Sequence, residues 1–528
     1  MAEGKEQKSM LYKLKPVTDR LPAVTRPEGH VHFRTKMTWV ILILVLYFAM
    51  TNVVIYGLDV EQRVDLFAQY RAILAGAQFS LMHLGIGPIV TGSIIMQLFT
   101  GAKIIKLNLK KDEDKAIYQG TQKLLVIIMI LVESVPQVYG FMEPSSKFSD
   151  GMSSFFGGDG ESIARTLIVV QLFVGSYLVF LMDEVVSKWG IGSGISLFIA
   201  AGVAQQIFTG TLNWHASDPT EAMSTDNPPA GTIPKTIYIF HHMSASQLSS
   251  DGYETIFLAQ PNPMVALIGT IVIFLFVAYT ESSRIELPLA HGGARGARGR
   301  YPIKLIYASN IPVILMAALL ANVSMFSMLF WSHPAFVNVP ILGGNWMLGY
   351  YDADSAAGGT TPLGGLAYYL STVNGFGDWL LPLLSDQYLG ATGLDKTRLQ
   401  ISIHVVAYVS VMILGSILFA KFWIETTNMG PEAVASQIES SGMQIPGFRR
   451  DPRVLKRVLE RYIPVVTVIS GATVGALAAG ADLIGTVGNA SGTGVLLAVG
   501  IMINLYDAIG REQMMEMHPV LRGFFGGE

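Results

Sequence analysis

Nine stretches of the chain contain no Asp, Glu, Lys or Arg: residues 37–58, 72–102, 166–182, 189–217, 255–280, 305–351, 399–420, 462–481 and 483–506. Each is about long enough to cross a bilayer, which takes roughly 20 apolar residues in a helix. A tenth, residues 116–142, is broken only by Lys123 near one end and Glu133 inside. The pattern predicts an all-α membrane protein with ten spans and both termini on one side. Between the first two spans lies YGLDVEQRVDLFAQYRAILAGAQFSLMHLG, too charged for lipid and too apolar for a plain loop. Val64, Phe67, Ala68, Ile73 and Leu74 can share one face of a short, interrupted helix there. Pattern alone favours an amphipathic loop on the outer surface. A dip back to membrane depth would instead imply a cavity, because irregular backbone survives there only inside protein. GIGPIVTG at 85–92, GIGSGIS at 190–196, SNIP at 309–312 and GNASGTG at 488–494 mark helix starts or close helix contacts.

Charge orients this frame. The first 36 residues are polar, carry eight Lys and Arg, and lack the short apolar region and small-residue cleavage site of a signal peptide. They are expected to be a retained cytoplasmic tail. With ten spans, 29 Lys and Arg fall on the side of the termini and 7 on the other, while the acids divide 20 to 18 with Glu133 in the membrane. The positive-inside rule therefore puts both termini in the cytoplasm. The short loops near 101–123 and 281–304 and the loop at 421–461, with 6, 5 and 7 basic residues, carry that argument. Composition agrees: of 528 residues 51% are hydrophobic and 14% charged, against about 25% charged in soluble domains.

Chemistry is sparse. The absence of Cys excludes disulfides, thiolate metal sites and cysteine nucleophiles. GxxxxGK[ST], HExxH and GxSxG do not occur. We expect no enzyme, no cofactor and no metal, with energy supplied by a partner or a gradient. Glu133 is the one acid in mid-span, at about 2.5 to 3.5 kcal/mol on insertion scales, so it must face protein or water. It serves either function or a hydrogen bond to a neighbouring helix. Proton-coupled transport needs further titrating centres, and the other candidates at membrane depth are His83, His404 and the boundary residues Asp183, Glu184, Asp482 and Asp507. Among the cytoplasmic loops, Arg284, Arg295, Arg298, Arg300 and Lys304 sit among glycines, on what reads as flexible backbone. The later loop ends in IPGFRRDPRVLKRVLERY, where Asp451 is a candidate N-cap and Pro452 a first-turn residue. Attraction to anionic lipid would explain such charge. The size of the loops suggests docking to something acidic.

These residues resemble a known family. LGIGPIVTGSIIMQL at 84–98, LMDEVVSKWGIGSGISLFIAAGVAQQIF at 181–208, RIELPLAHG at 284–292, YPIKLIYASNIPVIL at 301–315, PLGGLAYYLST at 362–372, FWIETT at 422–427 and GTGVLL at 492–497 are similar to the SecY family in its archaeal form. The resemblance runs from about residue 35 to the C-terminus. It implies ten transmembrane helices in two inverted five-helix halves, 37–212 and 263–511, flanked by tails 1–36 and 512–528. The halves would be hinged at the outer loop 213–262, and a short re-entrant plug helix would lie at about 62–74. That overrides the surface-loop reading.

The resemblance further implies a passive protein-conducting channel in the plasma membrane, which translocates unfolded secretory chains and releases transmembrane segments sideways into lipid. Ile86, Val90, Ile195, Ile199, Ile314 and Leu497 would form an aliphatic pore ring; Thr91, Glu133 and Asn310 a polar cluster at the lateral gate; and Arg284, Arg295, Arg298, Arg449 and Arg450 a docking surface for the ribosome and its RNA. Implied partners are a SecE-type (gamma) subunit, a small beta subunit, nascent chains with their signal sequences, and membrane lipids. The rival readings are a secondary transporter, which should carry several acids at mid-depth, and a ribosome-docking scaffold, which would not need the ring. The outer loops 213–262 and 331–398 are longer than the family pattern and have no functional account.

Overall fold

The computed structural model describes residues 10–29, 31–59, 71–101, 104–105, 107, 111–218, 221–291, 298–304, 310–332, 336–351, 361–391, 396–427, 429–440, 443–444, 452–488 and 490–517. Ten long helices follow one another: α1 (Phe33–Asn52), α2 (Gly87–Gly101), α3 (Asp112–Phe141), α4 (Gly160–Trp189), α5 (Gly194–Leu212), α6 (Met264–Ser282), α7 (Ile311–Ser332), α8 (Arg398–Thr426), α9 (Pro452–Ile484) and α10 (Gly492–Met517). Nine of them, among the described residues, are long and apolar enough to cross a membrane. Val40, Ile43, Tyr47 and Met50 turn one face of α1 inward, while Ile41 and Val45 on the other face are exposed, as lipid contact requires. All ten helices contribute to one continuous buried apolar cluster.

The exception in length is α2. Its 15 residues reach only about 22 Å at 1.5 Å per residue, short of a hydrocarbon core of about 30 Å. The uncharged run beginning at 72 reads as one span in sequence, yet residues 75–86 are not a regular helix. Ala75, Phe79 and Gly85 have positive φ, which breaks a right-handed helix. At Gly85 a Cβ would lie 2.1 Å from the Leu74 carbonyl oxygen, so glycine is required there twice over. This connector satisfies its backbone inside protein: the N–H groups of Ile55 and Leu81 donate to the carbonyls of Phe79 and Val53, both at 2.9 Å.

Lys36 at the start of α1 pairs with Glu512 near the end of α10 at 2.8 Å, so both termini share one face of the bundle, here the terminal face. On that face β1 (Arg284–His291) and β2 (Arg298–Lys304) form an antiparallel hairpin, with Arg284 opposite Lys304 and Ala290 opposite Arg298. β3 (Met443–Gln444), from the loop before α9, pairs with β1 at Ala290 and His291. Residues 284–291 and 298–304 of the loop expected on flexible backbone are thus strands, and they share a sheet with the second basic loop; residues 292–297 lie outside the described residues. α9 begins at Pro452; its expected N-cap, Asp451, lies outside the described residues.

Two acids, the half-buried Asp183 and the buried Asp482, start two helices in the same way. Asp183, near the end of α4, accepts the Ile195 N–H at 2.9 Å, at the first turn of α5. Asp482, near the end of α9, accepts the Thr493 N–H at 2.8 Å, at the first turn of α10. It also accepts the hydroxyls of Tyr408 and Thr493, both at 2.6 Å. In each case a carboxylate meets the positive end of the following helix. The first junction lies on the terminal face and the second on the far face, as two halves of opposite orientation demand.

The far face carries the long loops. Helices Thr232–His242 and Tyr253–Phe257 pack in the first, and Phe376–Leu384 and Asp386–Ala391 in the second. Tyr388 donates to Glu254 at 2.6 Å and joins them. Lys235 is buried, with Nζ donating to the carbonyls of Ala259 and Pro261 at 2.8 and 2.7 Å. Burial lowers its pKa from 10.5 to about 8.

Candidate functional site

The structure brings the six ring residues into the central apolar cluster. Ile86 immediately precedes α2 and its carbonyl accepts the N–H of Val90 in the first turn, Ile195 and Ile199 lie at the start of α5, Ile314 in the first turn of α7 and Leu497 near the start of α10. The four-residue spacing puts each pair on one helix face. All are buried except Ile195, which is partly buried. The glycines 85, 87, 192 and 194 therefore do local work: they start α2 and α5 where these side chains must converge.

Two cavities lie towards opposite faces of the bundle. Towards the far face is a space of about 840 Å³, bordered by Tyr47, Gln78, Gln205, Gln206, Asn262 and Asp378 among others. Towards the terminal face is a smaller one of about 130 Å³, bordered by Ile191, Ser196, Asn310, Ile314, Ile501 and Asn504. Of the six aliphatic residues, Ile314 borders the smaller space.

Beside the ring sits the described end of the plug segment, helix Arg71–Leu74, packed against α5, α7 and α10. Ile73, Leu74 and Ala75 are buried. The Leu74 carbonyl accepts the Ile86 N–H at 2.8 Å, and the Ala75 carbonyl accepts Tyr47 Oη at 3.1 Å. One ring residue is thus hydrogen-bonded to the plug end itself. Residues 62–70 of the expected plug lie outside the described residues.

Of the three polar residues expected together, two meet. Thr91 Oγ lies 2.9 Å from both Glu133 Oε1 and the Gly87 carbonyl, sharing its one hydrogen between them. Asn310 is elsewhere: at the start of α7 its Nδ2 donates to Glu281 Oε1 at 2.9 Å. Its side chain stands over Gly500 of α10, where a Cβ would be 1.8 Å from Nδ2. The third place is taken by Asn322, twelve residues on in α7 and so about 18 Å further along the helix. Its Nδ2 donates to Thr91 Oγ at 2.9 Å, across the seam between the halves. An Asn in mid-span was the available signal, since an amide in lipid needs a partner. Scanning for charges passes over it. Arg284 and Arg298 lie on β1 and β2; Arg295, Arg449 and Arg450 lie outside the described residues.

Comparison with known proteins agrees with this geometry. The SecY family matches residues 80–506, and the plug domain of Sec61p matches residues 45–78. A protein translocase subunit SecY from Haloferax volcanii is 46% identical over 97% of this chain and 98% of its own. One from Archaeoglobus fulgidus is 44% identical over 98% and 99%. Among solved structures, a protein-conducting channel superposes with a TM-score of 0.74 at 36% identity, covering 96% of this chain and 98% of that one. Sec61 in a canine ribosome-channel complex from the endoplasmic reticulum gives 0.72 at 36%, with the same coverage. The chain belongs to the SecY family. It is a multi-pass membrane protein of ten helices in two five-helix halves, and it forms a protein translocation channel with a plug.

Proposed function

We propose that in this member of the SecY family the ring of Ile86, Val90, Ile195, Ile199, Ile314 and Leu497 is the seal of the pore. The plug closes it from the far face. An all-aliphatic ring suits that task because it excludes ions by dewetting and offers no hydrogen bond to hold a passing chain. The seam between α2–α3 and α7–α8 is the lateral gate, held by Thr91, Glu133 and Asn322. An apolar segment leaves through it because Leu, Ile, Phe and Val favour lipid by about 0.3 to 0.6 kcal/mol each, while a charge disfavours it by about 2.5 to 3.5.

The terminal face is cytoplasmic, in a plasma membrane. There Arg284, Arg295, Arg298, Arg449 and Arg450, on two loops tied into one sheet, meet the phosphates of ribosomal RNA. The relation to Sec61 in a ribosome-channel complex supports this. A SecE-type subunit and a small beta subunit clamp the halves, with the hinge in residues 213–262. Signal sequences and membrane lipid meet at the gate.

The hydrogen bond from Ile86 N–H to the Leu74 carbonyl carries this reading, because it ties the plug to the ring. The test is ion conductance of the complete complex in planar bilayers. Wild type is expected to be silent, and Ile86→Gly combined with Ile199→Gly to leak. A folded double variant as silent as wild type would remove the ring from the seal.

A further inference from the structure

His83 lies at membrane depth and takes no part in the ring or in the Thr91–Glu133–Asn322 contact. It is buried, as are Gln137 of α3 and Met325 of α7. The backbone N–H of Phe79 donates to His83 Nδ1 at 3.0 Å. The imidazole proton must then sit on Nε2, which donates to Gln137 Oε1 at 3.0 Å. With its oxygen so engaged, the amide turns Nε2 towards Met325 Sδ, 3.7 Å away on α7. Gln137 follows Glu133 by one helical turn and Met325 follows Asn322 by three residues, so this line crosses the same seam one step along.

Its other end is the connector to the plug. Phe79 stacks on the His83 ring, with centroids 5.6 Å apart and planes 19° apart. Phe79 has φ of 52°, a conformation that a side-chain acceptor for its N–H helps to hold. The Ala77 N–H donates to the Met82 carbonyl, closing the turn that sets the direction of residues 71–75.

We propose that His83 and Gln137 form a second rung of the lateral gate, through which parting of the seam is passed to the segment carrying the plug. This rests on the gate reading above. When α7 withdraws, Gln137 loses Met325, its amide is free to turn, and His83 loses the acceptor that orients it. The turn at 77–83 then loosens its hold on the plug. His83 and Gln137 are positioning residues: they act on the plug through the connector.

The absence of cysteine from this chain allows single labels to be placed on it, in a complex assembled with cysteine-free partner subunits in liposomes. Spin labels at Phe99→Cys and Leu418→Cys, on exposed flanks of α2 and α8, report seam width. In a separate protein, labelling of Leu74→Cys by an impermeant maleimide from the far side reports plug release. Gln137→Leu is expected to widen the seam distribution and speed plug labelling by about fivefold to thirtyfold, the range that 1 to 2 kcal/mol represents. His83→Phe is expected to speed plug labelling alike with the seam unchanged, and His83→Gln, which can still accept and donate, to restore the wild-type rate.

Wild-type plug labelling in His83→Phe overturns the coupling. So does a general loosening in which both reporters move and His83→Gln restores neither. Asn322→Leu separates the two readings. If it leaves the seam distribution unchanged, the gate reading falls and this proposal with it; if it widens the seam while Gln137→Leu does not, only the second rung is lost.

Discussion

Asn322→Leu tests the gate at its most direct contact. Leu keeps the branched heavy-atom skeleton of Asn, with two bulkier methyls, and removes one hydrogen bond across the seam, from Nδ2 to Thr91 Oγ at 2.9 Å. Thr91 keeps Glu133 and the Gly87 carbonyl, so no buried orphan is left on α2. The loss is therefore the bond itself, on average about 0.6 and at most about 1.7 kcal/mol for interhelical pairs in a membrane. With RT near 0.59 kcal/mol that raises the open fraction about threefold to eighteenfold. In leucines worth about 0.3 to 0.6 kcal/mol each, it equals about one to six fewer residues for lateral release. The assay is a series of test segments of graded leucine content, translocated by the complete complex and scored by protease protection. The half-insertion point should move by that amount in Asn322→Leu and stay in place in Asn310→Ser, whose side chain bonds Glu281 instead. An unmoved threshold in the first, or an equal shift in the second, would refute the assignment.

Other outcomes follow from single contacts. Gly85→Ala puts a methyl 2.1 Å from the Leu74 carbonyl at φ of 55°, so the plug end must move and the complex should conduct ions under voltage. Asp482→Ala strands two hydroxyls and a backbone N–H, a loss of about 3 kcal/mol or more; an unchanged thermal unfolding midpoint would contradict the cap. Lys235 has its pKa lowered to about 8, so between pH 8 and 10.5 the unfolded segment holds a proton that the folded one has released. Local stability should rise through that window and be flat below it, by at most about 3 kcal/mol. Amide exchange of residues 232–262, compared with Lys235→Gln at each pH, reads this directly, and equal slopes would contradict it.

Much of the architecture was legible because the bilayer imposes one simple rule, an uncharged run of fixed length. The rule misreads 72–102, where part of the membrane depth is filled by irregular backbone that only the surrounding helices make tolerable. The ring rests on family resemblance, because an isoleucine at a constriction and one in a core obey the same physics. Asn310 was misplaced because the uncharged run 305–351 holds four asparagines, and only the direction each side chain faces separates Asn310 from Asn322. The hairpin of β1 and β2 was hidden by the glycines around it, which read as slack in the sequence. His83 was visible as a polar residue at depth, but its partners on α3 and α7 come from distant parts of the chain.

The paired caps bear on how often this channel can be used. Asp183 joins α4 to α5 within one half, and Asp482 joins α9 to α10 within the other. Neither crosses the seam. In the proposed opening Ile195, Ile199 and Leu497 keep their heights as the halves part, each hung from a fixture that the parting does not load. On closing, the same side chains meet at the same level without having to be found again. A door whose hinges are never unscrewed closes true on every cycle.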